Sequence, residues 1–96
     1  MSYPIVIVIP KAHLQTFEDV ELRSIDVKII YCLACDCKIG QAAKQLCLAY
    51  RTVHDNISKL YEKTGLTSHA GLVAFCYAHN ILVTNNGKPH IGINIE

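Results

Sequence analysis

The sequence has no marked excess of either charge. Nine lysines and arginines stand against eight aspartates and glutamates, so the 96-residue chain carries a net charge of +1, and only 18% of it is charged. Taken as a mean, this argues against a polyanion partner, because nucleic-acid binders usually carry a basic excess. A long hydrophobic run is also missing. The apolar stretch Ile5 to Ile9 lies far below the ~18 residues that suggest a membrane span, and no basic segment precedes it as a secretory signal requires. The histidines are scattered without the i, i+4 spacing of a metal pair, and neither a Ser/His/Asp pattern nor a Gly-rich phosphate loop is present. There is no internal repeat and no low-complexity tract. These absences predict a soluble, cytoplasmic chain that is not an enzyme, holds no cofactor and meets no membrane. What is present is a 51% hydrophobic composition, which makes the chain globular rather than disordered. Its length suits a single domain, 1–96, with one core. Met1 and the extra terminal strands described below favour a stand-alone effector domain.

The mean charge hides a distribution. Residues 1–37 carry three basic and five acidic residues, a net of −2. Residues 38–63 carry Lys38, Lys44, Arg51, Lys59 and Lys63 against Asp55 and Glu62, a net of +3. Residues 64–96 are neutral, with Lys88 against Glu96. A local basic stretch creates a local potential even in a near-neutral protein. By itself such a stretch is most simply a solvated helix face, so the elements that carry it must decide.

Ile5 to Ile9 is β-branched and bracketed by Pro4 and Pro10; such residues pack well on a pleated surface, and the run predicts a strand over 5–9. Residues 11–24 are polar and mixed. Ser24 is placed to cap a helix from Ile25, in which Ile29, Ile30, Leu33 and Ala34 share a face. A short second helix follows, with Ile39, Ala42, Ala43, Leu46 and Cys47 on one side. After the brief connection Leu48-Ala49, a third helix over about 50–64 turns Val53, Ile57, Leu60 and Tyr61 inward. Its opposite side is read as Arg51, Thr52, Asp55, Asn56, Ser58, Lys59, Glu62 and Lys63, with Gly65 as its stop. Thr67-Ser68 can cap a fourth helix across His69 to His79, ended by Asn80. This last helix has almost no polar face, which predicts burial on more than one side. Asn86-Gly87 is a strong turn signal, and the pattern predicts a hairpin of about 81–84 with 90–95, within the segment 81–95. The N-terminal strand is expected to join it in a small sheet, within one subunit or between two, that supports dimerisation.

A short helix, a tight connection and a longer helix with a polar outer face form a helix-turn-helix pattern, and they coincide with the basic stretch. Arginine can fork onto guanine and asparagine onto adenine, a valine or threonine methyl can meet the thymine methyl, and threonine and lysine can hold phosphates. The run Leu22 to Leu82, roughly two thirds of the chain, resembles the LuxR-type (GerE-like) helix-turn-helix domain of bacterial transcription regulators. The most specific stretch is Thr52-Val53 followed by Ile57, Leu60, Lys63, Gly65 and Leu66, with Leu22, Asp26, Leu33, Ala34, Ala43 and Leu46 at the family's acidic and core positions. The resemblance implies a mainly α fold: a four-helix core over 22–82 whose third helix enters the major groove, usually as a dimer. It further implies that Thr52, Val53, His54 and Asn56 touch DNA and that Lys63 holds the backbone. The chain departs from the family at Asp36, where a glycine is usual, and at Lys38 and Ala49, where capping serines are usual. It departs again at Thr64, where leucine is usual, and at His69, where a basic residue is usual.

The candidate DNA-binding residues are therefore Lys38, Lys44, Tyr50, Arg51, Thr52, Val53, His54, Asn56, Lys59 and Lys63. Arg51, Thr52, Lys59 and Lys63 are expected on phosphates, and Val53, His54 and Asn56 on base edges. The expected partners are double-stranded DNA and a second copy of the chain, with another transcription regulator or RNA polymerase beyond them. The alternative is a protein-interaction module or antagonist that uses the same helices without binding DNA. Cys32, Cys35 and Cys37 form a C-x2-C-x-C cluster that could ligate a metal or sense redox state. Free cysteines in a cytosolic chain are more often small buried hydrophobes, and Cys47 and Cys76 are placed on core faces.

Overall fold

The computed structural model describes residues 5–11 and 16–93, with side chains described from Leu22 to Ile93. Among these residues the protein is mainly helical. Strands β1 (Ile5–Lys11) and β2 (Thr16–Leu22) precede helices α1 (Ser24–Ala34), α2 (Ile39–Leu46), α3 (Tyr50–Thr64) and α4 (His69–Ala78). Strands β3 (Leu82–Asn85) and β4 (Lys88–Ile91) follow. None of the described helices is long and apolar enough to cross a membrane.

The helical core is built around α1, which packs against α2, α3, α4 and β4. Its inward stripe is Val27, Ile29, Ile30 and Cys32. Ala42 and Ala43 of α2 are buried beside it; with methyl groups alone, they let the helix approach closely. Val53, Ile57 and Leu60 of α3, Leu72 and Cys76 of α4, and Ile81 and Leu82 complete the core. The fourth helix is less enclosed than its apolar sequence predicts. Leu72 and Cys76 form its buried stripe, whereas Ala70, Ala74 and Ala78 are exposed and Val73, Phe75 and Tyr77 half-buried.

The helices end by one recurring device. After α1, the Asp36 N–H donates to Leu33 O at 3.1 Å and the Cys37 N–H to Cys32 O at 3.0 Å, with Asp36 in the left-handed region at φ 65°. This is a Schellman motif, which pairs the last carbonyls of the helix with the N–H groups that follow and sets the third-last helical side chain against the one just past the turn. After α2, Cys47 takes the left-handed position at φ 56° while Leu48 N–H bonds Ala43 O at 2.9 Å. After α4, Asn80 does so at φ 60°, with Ile81 N–H on Cys76 O at 2.8 Å. Gly65 closes α3 at φ 75°, its N–H on Tyr61 O at 2.9 Å. Asp36 thus holds a backbone conformation that glycine adopts most easily, with a β-carbon in a crowded region. Cys47 is exposed rather than on the core face expected of it, because it is the turn residue itself.

Helix starts show the same thrift. The Asp26 carboxylate accepts the Arg23 N–H at 3.0 Å, so α1 begins at Ser24 with Arg23 as its cap, one residue earlier than a Ser24 cap predicts. Gln41 likewise accepts the Lys38 N–H at 2.8 Å, supplying half of a capping box where the cap residue itself is a lysine. Ser68 Oγ accepts Gly71 N–H at 3.0 Å and caps α4 as expected.

The strands depart most from the sequence reading. The first extends to Lys11 and pairs antiparallel with β2, in a register that matches Ile5 with Leu22 and Lys11 with Thr16. No strand is predicted over 16–22, because Thr-Phe-Glu-Asp-Val-Glu-Leu has no clean alternation to announce one. The expected pairing of the N-terminal strand with the C-terminal hairpin is absent among the described residues, where the two sheets are separate. The hairpin pairs Leu82 with Ile91 and Asn85 with Lys88 around Asn86-Gly87, both at positive φ. A two-residue turn of this kind matches the twist of the strands and pulls the second strand back to 88–91 from the expected 90–95; Ile95 lies outside the described residues. Past the hairpin, Gly92 N–H bonds Ile81 O at 2.9 Å. A β-carbon there would lie 2.7 Å from Val83 Cγ1 and 2.9 Å from Asn80 O, so this close return requires glycine.

Candidate nucleic-acid interface

The candidate surface is built on α2, the connection 47–49 and α3. The fifteen residues of α3 rise 1.5 Å each and so give a rod of about 22 Å. Its inward stripe is Val53, Asn56, Ile57, Leu60 and Thr64, at helical spacings of 3, 1, 3 and 4. Its outward side exposes Arg51, Thr52, His54, Asp55, Ser58, Lys59 and Glu62, with Lys63 half-buried in the last turn. A cation at that end suits the helix dipole. Ala49 offers no side-chain cap to the first turn.

Two residues expected on base edges face the other way. Val53 is fully buried in the core, so its methyl groups touch protein and have no access to a thymine. Asn56 is 9% exposed, and its side-chain carbonyl accepts Arg23 Nη2 at 2.9 Å. The same guanidinium donates to the buried Asp26 through Nη2 at 3.2 Å and Nε at 3.3 Å. Arg23, Asp26 and Asn56 thereby bind the start of α1 to the middle of α3, and Asn56 is a positioning residue for the helix rather than a reader of bases. The spacing of Asn56 from Val53 and Leu60 contains this signal, since i+3 and i+4 neighbours share a helix face; its polar side chain obscured it. The part played by Arg23 has no local signal, because its partner lies 33 positions away.

The remaining candidates are accessible. Tyr50 is 58% exposed and stacks on His54 with ring centroids 6.4 Å apart and planes 16° apart. The Arg51 side chain is 91% exposed and reaches Asp55, Nε to Oδ2 at 3.8 Å, while His54 Nδ1 approaches the other carboxylate oxygen at 3.7 Å. Asp55 thus sits between the guanidinium of Arg51 and the imidazole of His54 on the outward face. Lys38, the cap of α2, and Lys44 within it are exposed and line an open groove of about 840 Å³ together with Tyr50, Cys37 and His69. His69, at the start of α4, also stacks on Tyr61 at 6.4 Å. Burial raises the pKa of the Tyr61 hydroxyl above its ordinary value. His69 is not among the sequence-predicted candidates; it opens α4, beyond the basic stretch 38–63.

Among the described residues, no group of three or more His, Cys, Asp or Glu side chains is arranged to hold a metal ion. Cys32 and Cys76 are buried, Cys37 is half-buried, and Cys35 and Cys47 are exposed. Compared with family models, curated proteins and solved structures, the chain matches none of them.

Proposed function

We propose that this protein is a DNA-binding transcriptional regulator with a LuxR-type helix-turn-helix core, which lays α3 in the major groove and acts as a homodimer. The observation that carries this reading is the division of α3. One side is committed to the core, and the other presents Arg51, Thr52, His54 and Lys59, with Lys38 at the cap of the preceding helix and Lys44 within it. A helix of about 22 Å with such a face fits a groove about 12 Å wide. Arg51, Lys38, Lys44, Lys59 and Lys63 hold phosphates, as does Thr52, and the backbone N–H groups at the start of α3, which Ala49 leaves without a side-chain cap, are further donors. His54 and Tyr50 lie where base edges would pass. Two copies double a basic face that is modest in one, and the half-buried residues of α4 offer apolar surface for their contact.

One observation favours the rival reading, a protein-interaction module: Asp55 places a carboxylate in the middle of the outward face. Fluorescence anisotropy on duplex DNA at two salt concentrations separates the two. DNA binding predicts an affinity that falls steeply with salt. Arg51→Ala and Lys59→Ala should each weaken all sequences alike and lower the salt slope by about 1, whereas His54→Ala should change base preference. Absence of binding up to about 100 μM, weaker than most non-specific binding, would transfer the face to protein contact.

A further inference from the structure

The Schellman turn after α1 brings two thiols together. Cys32 is the third-last helical residue and Cys37 the residue just past the turn, joined by the Cys37 N–H to Cys32 O bond of 3.0 Å. These are the two positions whose side chains meet in this motif; after α4 the equivalent pair is Cys76 and Ile81, both buried. A single amide on α2 touches both thiols. Cys32 Sγ donates to Gln45 Oε1 at 3.6 Å, and Gln45 Nε2 donates to Cys37 Sγ at 3.7 Å. Cys35 is exposed and makes no hydrogen bond with the Gln45 amide among the described residues; its nearness helps raise the pKa of Tyr31.

We propose that Cys32 and Cys37 are a dithiol site that closes to an intrachain disulfide on exchange with a small anionic disulfide such as oxidised glutathione, and that closure loosens α2 from α1. Access and charge single out the reagent. Cys37 lines the open groove whose rim carries Lys38 and Lys44, with Asp36 the opposing charge, so carboxylates of a peptide disulfide have two cations to meet. Cys37 is the attacking thiol because it is reached from solvent and Cys32 is not.

The Cys37 thiolate attacks one sulfur of the reagent. The reagent's S–S bond breaks, a mixed disulfide forms on Cys37, and one glutathione thiolate leaves and takes up the proton that Cys37 released. Cys32 then gives its proton to solvent, attacks the Cys37 sulfur and expels the second glutathione thiolate, which is protonated in turn. Two protein thiols are oxidised and one glutathione disulfide is reduced to two thiols. Burial, with Cys37 and Cys35 nearby, raises the pKa of Cys32, so the second step is the slow one. Cys76 is no competitor: burial pushes its thiol up to about 12. Once the bridge forms, Gln45 has lost the S–H from which it accepted, and α2 one of its ties to α1.

The full chain is equilibrated in glutathione redox buffers, the free thiols are alkylated, and the chain is cleaved on the N-terminal side of aspartates. A cut before Asp36 parts Cys37 from Cys32 and Cys35, while Cys47 stays on the Cys37 fragment. The two fragments therefore stay joined only if Cys37 or Cys47 is bridged to the other fragment, and the Cys37→Ser variant tells these two apart. The expected result is a chain lighter by two hydrogens whose fragments remain joined in wild type and in Cys35→Ser. They should separate in Cys37→Ser, a half-buried position whose variant keeps the helical core. Amide exchange over 39–46 should be faster in the oxidised chain. Fragments that separate in oxidised Cys35→Ser, or a glutathione adduct that stays on Cys37 without closing, overturn the site. Unchanged exchange in α2 overturns its coupling. Mass and exchange are read without DNA, so the outcome stands apart from the proposed function.

Discussion

Both sides of α3 carry polar residues, and these answer to different demands. Asn56 and Thr64 on the inner side are buried and hydrogen-bonded: Asn56 Oδ1 accepts from Arg23, and Thr64 Oγ1 donates to Leu60 O at 2.7 Å while accepting Leu66 N–H at 3.2 Å. Arg51, Thr52, Asp55 and Lys59 on the outer side stand in solvent. A buried polar group must be paired or it costs stability, whereas an exposed one is already satisfied by water and is available to a partner. Residue type alone therefore does not mark an interface; the side of the helix does.

The contrast is open to direct attack, beginning with its strongest contact. Ile57→Ala on the inner side should lower the unfolding free energy by about 2–4 kcal/mol. In urea titrations that loss should come without any change in the affinity of the folded fraction for DNA, the proposed partner; a weakened affinity at unchanged stability would mean that the inner side reaches that partner. Asn56→Ala should cost about 1 kcal/mol through the lost bond to a half-exposed arginine. Its base preference, measured by binding to randomised duplexes, should match wild type. A shifted preference with intact stability would return Asn56 to the interface.

Ala49→Ser supplies the missing cap at the join of the two sides. It should raise stability by about 0.5–1 kcal/mol, visible as a higher urea midpoint with the same slope. Asp55→Asn acts on the outer side alone. Stability should stay within about 0.5 kcal/mol, because the ion pair with Arg51 is exposed and such pairs contribute little. If α3 binds DNA as proposed, affinity for duplex should rise a few-fold, most at low salt, as screening fades. If affinity fell instead, Asp55 would be a contact residue rather than a brake on Arg51.

Much of the fold was legible in the sequence. Apolar spacing located α2 and α3, and Ser68, Gly65 and Asn80 marked ends that the backbone respects. These signals are local, since a helix is hydrogen-bonded within itself and its caps lie a few residues away. Strand β2 was not legible, because a strand is completed only by its neighbour and Thr16–Leu22 alternates too poorly to declare one. Among site residues, exposure agreed with expectation for Lys38, Lys44, Tyr50, Arg51, Thr52, His54 and Lys59. It failed for Val53, which was assigned a base edge although its spacing already turned it inward, and for Asn56, which was read onto the outer side but is buried with the inward stripe.

The charge that looked featureless as a mean of +1 is concentrated by the sequence itself on 38–63. The periodicity of that stretch, again a property of the sequence alone, determined that it would form two helices. What only the tertiary structure decided is which groups are free to act. Arg23 is held by Asp26 and Asn56 across 33 positions, Arg51 is shared with its helix neighbour Asp55, and Cys32 and Cys37 meet over the Gln45 amide of another helix. Local propensity settles within a turn or two of chain. The pairing of buried donors, acceptors and thiols waits until the helices pack, because only then does water withdraw and the choice of partner carry a cost.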